Sequence, residues 1–106
     1  MFITRVRLHP EELEKFAQDV QRAAQKFPDI VRIRHSFGED WDGDPAIFFR
    51  VVLSDDAARD ERLGEITALI SKQMSDELEL TTFERIPYFR FRSKAEEDKM
   101  KSPEWA

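Results

Sequence analysis

Residues 30–53 read IVRIRHSFGEDWDGDPAIFFRVVL. In the first run Val31, Ile33, His35 and Phe37 alternate with Arg32 and Arg34, the period of a strand with one buried face. Residues 38–45, GEDWDGDP, are almost all turn formers. In the second run Ile47, Phe49, Val51 and Leu53 alternate with Phe48, Arg50 and Val52. This run is apolar enough on both sides to be central in a sheet. Two such runs across a short Gly-containing loop predict an antiparallel hairpin.

Working outward, residues 2–8 alternate in the same way and predict another strand. His9-Pro10 ends it, and Pro10 suits a first helical position. Leu13, Phe16, Ala17, Val20, Ala24 and Phe27 then recur at helical spacing, which predicts a helix over 10–27. Asp55 and Asp56 are candidate N-caps of a second helix reaching Leu78, with Leu63, Ile66, Leu69, Ile70 and Met74 as its stripe. Residues 86–93 predict a last strand, with Phe89 and Phe91 inward and Pro87 marking an edge.

The resulting order is strand, helix, strand, strand, helix, strand. It predicts an α+β domain over 1–93: a ferredoxin-like βαββαβ two-layer sandwich, with a four-stranded antiparallel sheet and two helices on one face. The alternative is another small α+β arrangement, KH-like, in which the first strand is an arm and the other three form the sheet. Residues 94–106 form a charged C-terminal tail, read as frayed or as a short marginal helix.

A chain of 106 residues without Cys suits one domain with its own core and has no disulfide, thiolate metal site or Cys nucleophile. No apolar run approaches the roughly 18 residues of a membrane span. The expectation is a cytoplasmic protein that does not enter a membrane.

The net charge of −5 conceals a sorting by element. The four expected strands hold seven Arg (Arg5, Arg7, Arg32, Arg34, Arg50, Arg90, Arg92), no Lys and no acid, leaving ten basic against 22 acidic residues elsewhere. Alternation places all seven Arg opposite the helices, together with Phe48, Val52 and Tyr88. Like charges abreast on neighbouring strands repel, so such a face gains from an anionic cover. Three covers follow: the acidic tail (Glu96, Glu97, Asp98) folded back, a protein partner or second copy, or a nucleic acid or phosphate ligand. Arg stems covering a solvated sheet are the simplest alternative. The preference for Arg over Lys favours planar or stacked contacts.

Other candidate chemistry is thin. Asp40, Asp42 and Asp44 resemble the start of a Ca²⁺ loop, but an EF-hand needs Gly and Glu where this chain has Pro45 and Val51. A looser divalent site is the alternative to a solvated turn, and no metal or cofactor is assigned. Trp41 in the same loop is either packed over the sheet end or an anchor for a partner. His35 reads as a core-rim histidine rather than a catalytic base, and His9 as structural at a helix start. Ser36 points away from His35, so the two make no triad. Phosphate-loop, zinc and HExxH spacings are absent.

Residues 37–54, FGEDWDGDPAIFFRVVLS, resemble small uncharacterised bacterial proteins with a GDPAIFF-type hairpin. The resemblance covers the central half of the chain. It implies a bacterial cytoplasmic setting and transfers neither activity nor site residues.

The functional expectation is a non-enzymatic protein–protein interaction module, antitoxin or adaptor-like. It would use Arg5, Arg7, Arg32, Arg34, Phe48, Arg50, Tyr88, Arg90, Arg92 and Trp41 for a protein partner or a homodimer. The acidic loop and second helix would offer a second surface. The alternative function is nucleic-acid or phosphate-ligand binding on the same face. An RNA-recognition motif would want a basic-Gly-aromatic signature that PAIFFRVV lacks.

Overall fold

A computed structural model describes residues 9–59, 61–80, 84–101 and 103–105. Helix α1 (Pro10–Ala24) leads into strands β1 (Ile30–Glu39) and β2 (Pro45–Leu53). Helices α2 (Asp55–Arg59) and α3 (Leu63–Glu77) follow, then strand β3 (Ile86–Ser93) and helix α4 (Lys94–Met100). A 3₁₀ turn, Pro103–Trp105, comes last.

Pro10 opens α1, and the His9 backbone N–H donates to the Glu12 carboxylate at 3.0 Å, satisfying a donor the helix leaves unpaired. The helix ends at Ala24, short of Phe27, and its buried stripe is Phe16, Val20, Ala23 and Ala24. Leu13 is mostly outside that stripe and exposed.

Among the described residues the sheet is three-stranded and mixed, in the order β1-β2-β3. This corrects the ferredoxin-like βαββαβ expectation of four antiparallel strands. β1 and β2 are the expected antiparallel hairpin, but β3 lies parallel to β2. The chain crosses through α2 and α3 and returns in the same direction, the connection that parallel neighbours require. Phe49 sits abreast of Phe89, their rings stacked 9° from parallel at 4.6 Å, so aromatic packing fixes β3 against β2. The expected strand over 2–8 lies outside the described residues.

Two local readings also change. A bulge separates Ile30 from Arg32, where two residues of β1 advance against one of β2. It turns Val31 to solvent and Ile30 towards the core. The single helix expected after residue 55 is two helices. Ser54, not Asp55 or Asp56, caps the first through its hydroxyl, which accepts from the Ala57 N–H at 3.2 Å.

The core lies between one sheet face and the helices. Ile33, Ile47, Phe49, Val51 and Leu53 meet Phe16 and Val20 from α1 and Ile70 and Met74 from α3. Among the described residues, no helix is long and apolar enough to cross a membrane.

Candidate interaction face

The opposite sheet face carries the arginines, and strand register arranges it in three rows. The first is Ser36, Phe48 and Tyr88; the second Arg34, Arg50 and Arg90; the third Arg32, Val52 and Arg92. Each row crosses all three strands, so neighbouring backbones within a row are about 5 Å apart. Arg5 and Arg7 lie outside the described residues.

The third row is covered by the chain's own tail. The Glu97 carboxylate bridges the two outer strands, accepting from Arg32 Nη2 at 2.9 Å and Arg92 Nη1 at 3.1 Å. Arg32 also donates through Nε and Nη2 to the Trp105 carbonyl, at 3.1 and 2.8 Å. The Arg92 guanidinium carbon lies 4.2 Å from the centre of the Trp105 ring, a cation–π contact. Glu97, Trp105 and Val52 are buried beneath this arrangement.

Local sequence explains why the tail turns back. The Ser93 hydroxyl accepts from the Glu96 N–H at 3.0 Å, and the Ser93 N–H donates to the Glu96 carboxylate at 3.1 Å. This capping box starts α4 directly from the last residue of β3. A second N-terminal donor, the Ala95 N–H, reaches the Asp55 carboxylate at 2.9 Å. Lys101 then adopts a left-handed conformation at the C-cap, at φ 44°, and redirects the chain towards the sheet.

The second row is different. Among the described residues, neither Arg50 nor Arg90 makes a hydrogen bond or an ion pair. Arg90 is exposed and Arg50 partly so. Arg34 beside them is exposed, with Nη1 donating to the Ile33 carbonyl at 3.1 Å.

The first row is aromatic. Phe48 and Tyr88 stack at 5.6 Å, and Trp41 tilts onto Tyr88 at 5.3 Å from the hairpin tip. Trp41 is 80% exposed, so the tip holds it by one ring and leaves the rest open. Asp40 ties this corner together: its Oδ1 accepts from the Asp42 and Asp44 N–H groups, and its Oδ2 accepts from the Tyr88 hydroxyl at 2.8 Å. Gly43 closes the turn at φ 84°, a conformation that suits glycine. Partial burial works to raise the Asp40 carboxyl. The Tyr88 hydroxyl and the surrounding backbone N–H groups outweigh it and hold Asp40 below its ordinary value. The hydrogen bond to Asp40, aided by burial and the charges of Asp40, Asp42 and Asp44, raises the Tyr88 phenol.

Asp40, Asp42 and Asp44 offer carboxylate oxygens within 4.8 Å of one another. Both Asp40 oxygens already serve the turn and Tyr88, so the hairpin itself accounts for the cluster. His35 lies on the helix-covered face among Phe16, Phe37 and Phe49, with ring centres 5.2, 5.8 and 6.3 Å away. Burial, followed by the charge of Arg50, lowers its pKa. Glu39 is four residues along the same strand, about 13 Å away, and Asp40 turns to the other face. The site therefore does not pair His35 with a loop acid.

Sequence reasoning named the acidic tail as one cover but did not single out Glu97 and Trp105. The legible signals were the Ser93-x-x-Glu96 pattern and a lone Trp in a polar tail. Asp40's role as a tether for Tyr88 depends on parallel β3 and has no local signature. The chain matches no known family model, curated protein or solved structure.

Proposed function

We propose that this protein is a non-enzymatic interaction module whose open sheet face takes an acidic, aromatic-bearing segment of another polypeptide, as an adaptor or antitoxin-type protein would. The supporting observation is the contrast between two neighbouring arginine rows. One row is satisfied by Glu97 and Trp105, an acid and an aromatic supplied by the same chain. In the next, Arg50 and Arg90 lack an acidic partner among the described residues and adjoin the Phe48–Tyr88–Trp41 aromatic patch. The tail thus displays in cis the chemistry the open row would accept in trans. Guanidinium forks suit carboxylates, and aromatic anchors supply contact area.

Nucleic-acid or phosphate-ligand binding is the second reading, favoured by the interleaved arginines and rings. The charge around the row weighs against it. Asp42 and Asp44 lie at one end of the face and Glu97 at the other, where a polyanion would pass. The joint between α2 and α3 reads Arg59-Asp60-Glu61-Arg62, with two acids and no Gly-X-X-Gly clamp for a nucleic-acid backbone.

Titration with short peptides alternating Asp or Glu with Trp tests the reading. Arg side-chain NMR signals of Arg34, Arg50 and Arg90 should shift, and their joint replacement by Ser should abolish the response while the fold persists. Peptides that leave these signals unmoved, while mixed-sequence single-stranded RNA binds with steep salt dependence, would overturn the protein reading.

A further inference from the structure

The molecule carries its own match for the open row. The hairpin tip holds Trp41 between Asp40 and Asp42, with Asp44 next, and Trp41 is the most exposed large apolar side chain described. This is the same pairing of acid and aromatic that Glu97 and Trp105 present to the third row. We infer that the occupant of the Arg34–Arg50–Arg90 row is the hairpin tip of a second copy of this chain. Two such contacts would be exchanged across a two-fold axis. The inference rests on the interaction reading above and names its partner.

The placement of the two elements suits that symmetry. Tip and row lie on one sheet face, and Pro45 and Arg50 are five residue steps apart along β2, about 17 Å of strand. A two-fold axis parallel to the sheet, running across the strands midway between them, turns the two faces towards each other and brings each tip over the partner's row. The contact is then isologous and closes as a dimer. The midpoint falls at the Phe48–Tyr88 stack, so the rings of one copy would meet those of the other at the axis. The interface would have an aromatic centre and a charged rim, the usual anatomy of a specific contact. The opposed charges also supply register, since a parallel face-to-face arrangement would set arginine row against arginine row.

The tip can donate these groups without unfolding. The turn depends on the Asp40 carboxylate, on backbone N–H groups of Asp42 and Asp44, and on Gly43. Among the described residues, no hydrogen bond or ion pair uses the carboxylates of Asp42 and Asp44, so changing these side chains should leave the hairpin intact.

Charge reversal on the full chain tests the inference by sedimentation equilibrium. The wild type should self-associate at low salt and dissociate in about 0.5 M salt, since the rim contacts are screened. D42K/D44K and R50E/R90E, each confirmed as folded by circular dichroism, should each associate at least about tenfold more weakly. Mixed in equal amounts they should form a one-to-one heterodimer, because Lys tips then meet Glu rows and Asp tips meet Arg rows. A wild type that stays monomeric at concentrations up to about 500 µM, or a mixture of folded variants with no heterodimer, would overturn the self-docking. The acidic Trp peptides separate the two readings. Binding to the Arg row of D42K/D44K in the face of a failed mixture removes only the second copy as occupant. If those peptides do not bind and single-stranded RNA does, both readings fall.

Discussion

Arg50 and Arg90 stand abreast on neighbouring parallel strands, and among the described residues neither has a hydrogen-bond or ion-pair partner. Arg34 is abreast of Arg50 on the other side, so three cations share one rung. Folding brings them together and the unfolded chain separates them. Arg50→Met retains the apolar stem and removes the central charge. It should stabilise the isolated chain by about 0.5 kcal/mol at low salt. Urea denaturation at low and high salt is the measurement. The wild type should gain stability as salt rises, and the variant should gain less.

Glu97 tests the covered row. With its carboxylate removed, Arg32 and Arg92 lose their shared anion while remaining under the tail. Glu97→Gln should cost about 2 kcal/mol, less than a fully enclosed pair because Arg32 is a third exposed. The tail should also open more often. Trypsin should then cut after Lys99 or Lys101 faster in the variant, with the rest of the domain still resistant.

His35 sets a pH dependence. Burial among phenylalanines and the nearby Arg50 charge lower its folded pKa below the ordinary 6.5, so the unfolded chain binds the proton more readily. The stability tied to the neutral ring is therefore complete above the unfolded value and is lost as pH falls through the folded one. Melting temperature should drop between about pH 7 and pH 5. His35→Phe should flatten that part of the profile. An unchanged slope in the variant would assign it to other groups.

Tyr88 is the single tyrosine of the chain, so phenolate absorbance reports on it directly. The Asp40 hydrogen bond, with burial and the loop charges, should move its ionisation above the ordinary value of 10.0. Asp40→Asn should bring the midpoint back towards that value and lower the melting temperature. In the wild type the stabilisation is complete below the unfolded pKa and disappears as pH rises through the folded one.

Period-two alternation made the arginine face legible. Once β1 and β2 were recognised as strands, Arg32, Arg34 and Arg50 had to lie opposite Ile33 and Phe49. The hairpin was equally readable because its turn residues are local. The partner of β3 was not. Its residues alternate in the same way beside an antiparallel or a parallel neighbour, and the choice rests on the crossover and on the meeting of Phe49 with Phe89. Val31 misled because alternation carries no mark of a bulge. The tail was half legible: its charge suggested a cover, but the carboxylate that reaches the sheet is chosen by where β3 ends and α4 begins.

The cover over Val52 joins residues far apart in the chain: Arg32 is 65 positions from Glu97 and 73 from Trp105. Such closures are slow to form and gain nothing until the intervening sheet is assembled. During synthesis the third arginine row therefore stays bare until Glu97 and Trp105 have both emerged. A tag or chain break placed beside the buried Trp105 would uncover Val52 and disturb the arginine row beneath it.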